Sequence, residues 1–484
     1  MPEVIVVGAG PTGMMLAGEL ALAGVDIAVL ERRPTSVLVG SRAGGFHARP
    51  LEILDQRGIV DRFLREGRTV QTARFGPTVL DISDFPTRHP YGLALWQSRI
   101  ETILAGWIDE LGVRVDRGRE VTGLVQDEHG VEVGLRDGGS LRAGYLVGAD
   151  GGRSAVRRAA GIEFAGWEAT RSNLIAEVEV AQQPPSGATQ DERGVHGLQV
   201  LADGRTYRVV TTEPQLGPPA EPTLADLSAS LTAAFGTDFG VHSPTWISRF
   251  TDATRQAVTY RSGRVLLAGD AAHIHYPAGG QGIGLGVQDA VNLGWKLAQV
   301  VSGTSSATLL DTYHAERHPA GARALRLSMA QTVLQRTDPR TAALAEIVDD
   351  IVATAPARRR VAARIHGLDL TYEVGGGPPL LGRRMPDLDI VTPDGATTVF
   401  SLLHEANGLL LDFAGSGDLD TAPWSGRVRS VGARFSGTWR LPVLGEIGPP
   451  PTAVLVRPDG YVAWVAPGTA EALPDALARW FGPR

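Results

Sequence analysis

The first residues that could do chemistry are a run of glycines near the amino terminus. An apolar stretch, residues 4–7, precedes the run, and a stretch with helical periodicity, residues 12–23, follows it. The run consists of Gly8, Ala9, Gly10, Pro11, Thr12 and Gly13. Glycines at this spacing permit a tight turn, close approach of a pyrophosphate to the backbone, and close packing of helix on strand. The run therefore predicts a dinucleotide site, but it does not separate FAD from NAD.

An acidic residue follows the next apolar stretch, residues 25–30. In a strand–helix–strand unit, this residue, Glu31, is placed to bind the hydroxyl pair of a ribose. Its neighbour Arg32 is assigned to the same site. The alternative is a glycine-rich turn without a ligand, and the strand and helix around the motif favour binding.

A second carboxylate comes after the apolar stretch 145–149. Asp150 is followed by two glycines, Arg153 and Ser154. Serine is a common residue at a helix N-cap. Asp150 and Arg153 would then lie near the nucleotide. The alternative is a helix-capping turn with no ligand.

The most specific pattern begins with a predicted strand at 264–268. This strand ends in Gly269 and Asp270, which places a carboxylate beside the ribityl chain of a flavin. The loop and helix start that follow contain Pro277, Gly280, Gln281, Gly282 and Ile283. The glycines allow the loop backbone to lie edge-on to an isoalloxazine ring. The helix predicted from Gly284 to Leu297 would aim its N–H donors at the N1 side of the ring, where reduced flavin is negative.

Composition limits the remaining functions. The chain has 484 residues, which predicts two or three domains, and its net charge of −7 argues against nucleic acid or an anionic membrane as the main partner. The absence of cysteine excludes disulfides, thiolate metal sites and thiol catalysis. His273 and His275 alternate without an obvious third ligand, so no metal is expected. No apolar stretch approaches the roughly 20 residues that cross a bilayer, and we expect a cytoplasmic protein.

The elements that must position these residues fall into separate regions. An α/β, Rossmann-like FAD-binding domain is predicted for 1–170 plus 261–370, with trailing helices. Alternating strands predict an inserted mixed-sheet substrate domain at 171–260. A Gly/Pro-rich segment predicts a linker at 371–394, and strands with a closing helix predict a small α/β domain at 395–484.

Together these motifs resemble the single-component FAD-dependent aromatic hydroxylases, which are class A flavoprotein monooxygenases with the para-hydroxybenzoate hydroxylase fold. The closer likeness is to bacterial aromatic polyketide hydroxylases of the angucycline and anthracycline type. The segments that are similar to that subfamily are 41–63, 272–282, 288–298 and 309–319. The C-terminal segment is similar to the thioredoxin-like domain of phenol hydroxylase relatives. Without cysteine it cannot do dithiol chemistry, so a packing or dimer role is expected, and a homodimer is an open alternative.

The resemblance implies roles for particular residues. Arg42 and Gln97 match positions that contact the flavin nucleotide, and Arg42 also matches an arginine linked to NADPH use. Asp150 matches an acidic residue shared by the FAD and NADPH regions, and Asp270 matches the ribityl contact. Matches to the ring-contacting loop are Gly280, Gln281 and Gly282. The family commonly has Asn where this chain has Gly284.

The implied reaction is a monooxygenation. NADPH, or alternatively NADH, reduces FAD, O₂ adds to give a C4a-(hydro)peroxyflavin, and one oxygen atom passes to a polycyclic aromatic substrate. Two alternatives stay open: Baeyer–Villiger or epoxidising chemistry, including inactivation of an antibiotic, and a non-catalytic flavoprotein that binds a polyketide intermediate. The substrate is expected between the flavin and the sheet at 171–260, but the strand pattern does not show which face points inward.

Overall fold

The computed structural model describes residues 1–40, 43–185, 187–201, 203–277, 279–415, 419–469 and 471–484. The helices are α1 Pro11–Leu22, α2 Ala48–Gln56, α3 Val60–Leu64, α4 Gln97–Glu110, α5 Ala155–Ala159, α6 Leu224–Phe235, α7 Gly282–Val301, α8 Asp311–Leu334, α9 Pro339–Val352, α10 Ala355–His366 and α11 Leu473–Phe481.

The strands are β1 Val4–Val7, β2 Ile27–Glu31, β3 Gly45–Phe46, β4 Arg68–Val70, β5 Thr72–Phe75, β6 Thr78–Asp81, β7 Gly92–Ala94, β8 Val115–Arg117, β9 Val121–Gln126, β10 Val131–Leu135, β11 Ser140–Ala143, β12 Tyr145–Gly148, β13 Phe164–Trp167, β14 Ser172–Val180, β15 Gly187–Gln190, β16 Val195–Val200, β17 Tyr207–Thr212, β18 Val241–Thr251, β19 Thr254–Ala257, β20 Arg261–Ser262, β21 Val265–Leu267, β22 His273–Ile274, β23 Asp389–Thr392, β24 Gly395–Thr398, β25 Gly408–Asp412, β26 Val428–Gly432, β27 Arg440–Leu441, β28 Gly445–Glu446, β29 Ala453–Val456 and β30 Val462–Ala466.

A six-stranded sheet in the order β20-β21-β12-β1-β2-β8 organises the N-terminal region. Its five strands from β21 to β8 pair in parallel, and only β20 runs antiparallel. Strands β1 and β12 are buried along their whole length, as expected for short apolar strands with helices on both faces. The carboxyl ends of neighbouring parallel strands meet at one edge, so the motifs that follow β1, β12 and β21 lie together there.

An antiparallel sheet in the order β15-β16-β17-β14-β18 occupies most of the segment 171–260. One of its faces packs on α6 in an apolar cluster that includes Leu174, Ala176, Val178, Leu198, Val209, Leu227 and Leu231. The end of the segment returns to the N-terminal region, because β19 pairs with β13 and β22. The strand pattern predicts an inserted sheet here, and the structure shows one whose strand pairs are all antiparallel. The domain boundaries themselves stay predictions.

The C-terminal region is built on a four-stranded sheet in the order β26-β25-β29-β30. The β25–β26 pair is parallel, the other two pairs are antiparallel, and α11 closes the chain. This is the strand order of a thioredoxin-like sheet, and the chain has no cysteine. The segment 371–394, predicted as a linker, is packed: Leu380 and Met385 are buried in the core of this region, and β23 pairs with β24.

Buried charges join this region to the N-terminal region. Glu316 of α8 accepts hydrogen bonds from Lys296 Nζ (2.8 Å) and Arg457 Nη1 (2.6 Å). Burial alone would raise the pKa of Glu316, but Arg457 and Lys296 outweigh it and lower the pKa to about 2. Burial lowers the pKa of Lys296 to about 8, with Glu316 opposing that shift. Across the described part of the chain, none of the helices combines the length and apolar character that crossing a bilayer requires.

Candidate functional site: a flavin cradle facing a substrate sheet

The glycine-rich turn between β1 and α1 has the shape that a dinucleotide needs. Gly8 has a φ of +104°, and a Cβ there would lie 2.4 Å from the carbonyl oxygen of Ala149. At Gly13 a Cβ would lie 1.8 Å from the carbonyl oxygen of Gly8. Gly10 differs, because a Cβ there would meet no described atom within 4 Å. Because the N-cap residue Gly10 has no side chain, the N-terminal end of α1 has no side-chain cap. The turn therefore leaves open space beside the first N–H groups of α1.

Glu31 is fixed beside this turn. Its Oε2 accepts a hydrogen bond from the Ala9 N–H (2.8 Å), and its Oε1 accepts one from the Arg33 N–H (2.8 Å). The Arg33 side chain also donates to Glu101 (2.9 Å) on α4. Nothing in the sequence pattern singled out Arg33, whereas Arg32, its predicted neighbour in the site, is exposed. The structure thus brings Glu31 to the turn with Arg33 as its partner, and the assignment of Arg32 to the cofactor site stays a prediction.

Asp150 follows β12, and its two carboxylate oxygens differ in their hydrogen bonding. Its Oδ2 accepts hydrogen bonds from the Ala155 N–H (2.7 Å) and the Val156 N–H (3.2 Å), so the capping alternative is correct for this oxygen. Ser154 adds a second cap by accepting from the Arg157 N–H (2.9 Å). The other oxygen, Oδ1, is buried and has no partner among the described residues. A buried acceptor without a partner is costly, so this oxygen fits a hydroxyl of a bound nucleotide.

The turn after β21 is held by a buried charged cluster that nothing in the sequence singled out. Asp289, on α7, accepts hydrogen bonds from the Gly269 N–H (3.0 Å) and from His273 Nε2 (2.7 Å). Its second oxygen accepts from Arg317 Nε (2.7 Å) on α8, and neither Asp289 nor Arg317 is exposed to solvent. Burial would raise the pKa of Asp289, but Arg317 and His273 outweigh it and lower that pKa. The only available signal was an aspartate inside a mostly apolar helix.

Asp270 itself is exposed beside the start of α7. The Cβ position of Gly282 lies 3.9 Å from its Oδ1. Helix α7 begins at Gly282, two residues before the predicted start, and its N-cap residue Gln281 provides no side-chain cap. The first N–H groups of α7 and the Asp270 carboxylate are therefore both accessible to a ligand at this edge of the sheet.

The loop before α7 is shaped by glycines. The Gly280 N–H donates to the Pro277 carbonyl (3.0 Å), and Gly279 and Gly280 both have positive φ. His47 donates from Nε2 to the Gly279 carbonyl (2.6 Å), and burial lowers the pKa of His47, which favours the neutral imidazole. The side chain of Gln281 is buried, with Nε2 3.4 Å from the Ile365 carbonyl. The described residues of this loop consequently present mainly backbone groups to a ligand.

Gln97 and Arg42 are two further predicted contacts to the flavin nucleotide. Gln97 is the first residue of α4, and its Nε2 donates to Glu101 Oε1 (2.9 Å). Because Glu101 also binds Arg33, Gln97 belongs to the polar chain that ends at Glu31. Arg42 lies outside the described residues. Among the residues that are described, no group of three or more His, Asp or Glu side chains could hold a metal.

A packing contact explains why Gly284 stands where the family commonly has Asn. A Cβ at this position would lie 2.7 Å from Cγ of Pro50, so α7 and α2 approach more closely than a side chain allows. A family-like Asn at this position would displace Pro50.

This close approach gives a testable result. Gly284→Ala should lower the free energy of unfolding by about 1–3 kcal/mol, because the added methyl overpacks the α2–α7 contact. Gly106→Ala is the matched control, since Gly106 is an exposed glycine inside α4 with open space at its Cβ position. The control should raise stability by about 0.5–1 kcal/mol. Urea denaturation of both variants measures the difference, and equal shifts in the two would refute the packing reason.

The structure identifies the inward face of the sheet at 171–260. Paired residues of neighbouring strands point to the same side, so the face opposite α6 consists of three rows. The rows are Asn173, Thr212 and Phe250; Ile175, Val210 and Ser248; and Glu177, Arg208 and Trp246. This face lies against the N-terminal region: the Phe250 ring is 5.8 Å from that of Tyr276, and a Cβ on Gly40 would lie 2.1 Å from the Trp246 ring. We call these three rows the substrate face.

Comparisons with known proteins agree with this geometry. A family model described as an FAD binding domain matches residues 1–328, and one described as the C-terminal domain of aromatic-ring hydroxylases matches residues 378–483. Rifampicin monooxygenase from Streptomyces venezuelae is 44% identical over 491 residues, covering 100% of this chain and 99% of that protein.

Two further relatives show the range of activities. The structure of the OxyS anhydrotetracycline hydroxylase from Streptomyces rimosus matches with a TM-score of 0.91 at 42% identity, covering 100% of this chain and 99% of that one. A dialkyldecalin synthase from Streptomyces rugosporus is 38% identical over 488 residues, with 99% of each chain covered. On the matched family models and these full-length likenesses, the chain belongs to the FAD-dependent aromatic-ring hydroxylases, the class A flavoprotein monooxygenases.

Proposed function

We propose that this monooxygenase uses NADPH and O₂ to insert one oxygen atom into a polycyclic aromatic, polyketide-type substrate. The observation that supports this most strongly is the position of the three motifs. The turns after β1, β12 and β21 lie at one edge of the parallel sheet, and Tyr276, which precedes Pro277, contacts Phe250 of the substrate face. Relatives named for rifampicin and anhydrotetracycline support the substrate class.

The shape of the site and its hydrogen-bonding groups indicate which residues would hold FAD. The turn Gly8–Gly13 would take the pyrophosphate against the start of α1, and Glu31 would bind ribose hydroxyls. Gln97 and Arg42 are proposed nucleotide contacts, and Asp150 Oδ1 offers a buried acceptor without a partner among the described residues. Asp270 would accept from ribityl hydroxyls. Backbone groups would contact the ring at Pro277, Gly280, Gln281, Gly282 and Ile283.

The bound flavin supplies the oxygen activation and the transfer of one oxygen atom to the substrate. The chain orients and stabilises it. The N–H groups in the first turn of α7 and the positive end of its dipole would favour negative charge on a reduced ring. The substrate face would cover the ring with apolar and aromatic side chains, including Ile175, Val210 and Phe250, which would exclude water. A phenolate substrate supplies its own electron push, so no protein acid or base is assigned.

A second candidate function has a specific observation in its favour. The dialkyldecalin synthase relative is named for a reaction without a stated oxygen insertion, and it covers the same length of chain. In that case the flavoprotein would bind a polyketide intermediate and guide its cyclisation. The two functions differ in whether the substrate stimulates NADPH consumption.

We expect the purified protein to be yellow and to oxidise NADPH faster when a polycyclic phenol is added. Flavin absorbance under anaerobic conditions, with and without the phenol, measures the reduction directly. NADH in place of NADPH, at matched concentration, tests the choice of nicotinamide. If the protein retains FAD but NADPH never bleaches it with any polycyclic phenol present, the proposed monooxygenase function is wrong.

A further inference from the structure

The turn that ends α10 lies against the proposed flavin site. The Ile365 carbonyl is 3.4 Å from Nε2 of Gln281, and the Gly367 carbonyl accepts a hydrogen bond from Nε of Arg49 (3.1 Å). A Cβ on Gly367 would lie 3.2 Å from Cβ of Arg49, so the turn and α2 are in close contact. The residue between these two carbonyls, His366, is therefore held between the loop before α7 and the start of α2.

His366 brings a polar ring into this contact. It is 2% exposed, and its Nδ1 accepts a hydrogen bond from the Ala48 N–H (3.1 Å). Burial lowers the pKa of His366 well below its ordinary value, so the ring is neutral and its proton lies on Nε2. This Nε2 is buried and has no hydrogen-bond partner among the described residues. Such a donor costs about 1–3 kcal/mol, which an apolar side chain of similar size would avoid, so the imidazole needs a reason other than filling space.

His47 connects His366 to the loop before α7. The two imidazole rings meet edge to face, with centroids 4.7 Å apart and an angle of 74° between their planes. His47 is the N-cap residue of α2, and its Nε2 donates to the Gly279 carbonyl (2.6 Å) in the loop. His366 thus supports His47 twice, through its ring edge and through the neighbouring Ala48 N–H. One side chain, that of His47, links His366 to the loop backbone.

The loop has space to move if this support is lost. A cavity of about 50 Å³ lies beside it, and its lining includes His47, Gln281, Gly284 and His366. Truncation of His366 would enlarge this cavity, and surrounding groups relax partly into such a space. A shift of Gln281, the N-cap residue of α7, would carry the first turn of that helix with it.

We propose that His366 is a positioning residue for FAD, which acts through His47 to hold the loop before α7 and the first N–H groups of that helix close to the flavin ring. The proposal rests on the cofactor site of the function proposed above. Negative charge appears at the N1 side of the ring upon reduction, so donors that retreat stabilise reduced FAD less and affect oxidised FAD little. The ratio of the two dissociation constants sets the midpoint potential of the bound flavin, and this potential therefore reports the position of the loop.

The test is the midpoint potential of the holoprotein, measured by anaerobic reductive titration against a reference dye. In His366→Ala we expect reduced FAD to bind about tenfold more weakly relative to oxidised FAD than in the wild type, the loss of part of a hydrogen bond to a charged group. For a two-electron couple this ratio lowers the midpoint potential by about 30 mV. In titrations of the apoprotein, oxidised FAD should bind within about threefold of the wild-type constant, since its ring lacks the charge that the donors stabilise.

Two further variants test the route through His47. His366→Asn retains an acceptor beside the Ala48 N–H but removes the ring edge from His47, so its shift in potential should be smaller. In a His47→Phe background, His366→Ala should add no further shift, because residues in one chain of contacts do not act additively. A full further shift in that background would overturn the proposal.

His196→Asn is the matched control, since His196 is also 2% exposed but packs on Phe235 of α6, on the side of the sheet away from the substrate face. It should lower the free energy of unfolding and leave the potential unchanged. The proposal is overturned if the potential of His366→Ala equals that of the wild type whatever its stability, if His196→Asn shifts the potential equally, or if the wild type binds no FAD. If His366→Ala does not fold, the potential of His366→Asn decides, and an unchanged value overturns the proposal. Because neither NADPH nor substrate is present, a protein that never oxidises NADPH would refute the proposed function while leaving these potentials measurable.

Discussion

Asp289→Asn is expected to lower the free energy of unfolding by about 3–5 kcal/mol, the usual cost of removing one partner from a buried ion pair. The substitution leaves the Arg317 guanidinium buried without its carboxylate and weakens the contact to His273. Because Asp289 also accepts from the Gly269 N–H, the turn that positions Asp270 should loosen, and FAD affinity should fall with stability. Urea denaturation of the holoenzyme at neutral pH, followed by far-UV circular dichroism and FAD fluorescence, measures both effects.

Two controls separate the loss of the Asp289–Arg317 ion pair from the general effect of an Asp-to-Asn change. Asp349→Asn, at an exposed position on α9, should leave stability unchanged. The double variant Asp289→Asn with Arg317→Gln should be less destabilised than the sum of its single variants, because neither charge is then left alone. The pKa of Asp289 is lowered in the folded state. Its contribution to the free energy of unfolding is therefore present above the ordinary carboxyl pKa of 3.8 and is lost as pH falls below it. A loss of less than 1 kcal/mol in Asp289→Asn would contradict the role given to this cluster.

Asp270→Ala is expected to weaken FAD binding by about 10- to 100-fold, the effect of losing charge-assisted hydrogen bonds to ribityl hydroxyls. Its carboxylate is exposed, so the fold should not depend on it. Titration of the apoprotein with FAD, monitored by quenching of flavin fluorescence, gives the dissociation constant of each variant.

Asp349→Ala is the control for charge, because it removes an exposed carboxylate from a helix remote in sequence from the site. Asp270→Asn should fall between wild type and Asp270→Ala, since an amide oxygen still accepts a hydrogen bond. Unchanged FAD affinity and occupancy in Asp270→Ala would show that the ribityl contact is assigned to the wrong residue.

The position of the cofactor motifs was predictable because it follows from parallel-sheet geometry. Runs such as residues 4–7 and 145–149 are too apolar to face water, so they pair in a sheet buried on both faces. The polar residues after them, including Asp150 and Asp270, must then meet at the carboxyl edge. The cap of α5 was also predictable from the sequence, since Ser154 stands where a helix N-cap is expected and its side chain caps α5.

Other parts of the site depend on contacts that no local pattern encodes. Alternation along β14 shows that two faces exist, but only the packing of α6 on Leu174 and its neighbours shows which face is left for the substrate. Asp289 and Arg317 are 28 residues apart in sequence, and their pairing depends on how α7 packs against α8. The glycine at position 284, where the family commonly has Asn, is explained only by Pro50, which lies at the position of its Cβ.

The central claim is tested most directly by following oxygen from O₂ into the product. Holoenzyme, NADPH and a polycyclic phenol are incubated under ¹⁸O₂, and the product is analysed by mass spectrometry with fragmentation. A product that contains one labelled oxygen atom, formed in proportion to the NADPH consumed, is the expected result. A product isomeric with the substrate and free of label, or NADPH consumption that leaves the phenol unchanged, would contradict monooxygenation and favour the cyclisation or binding alternative.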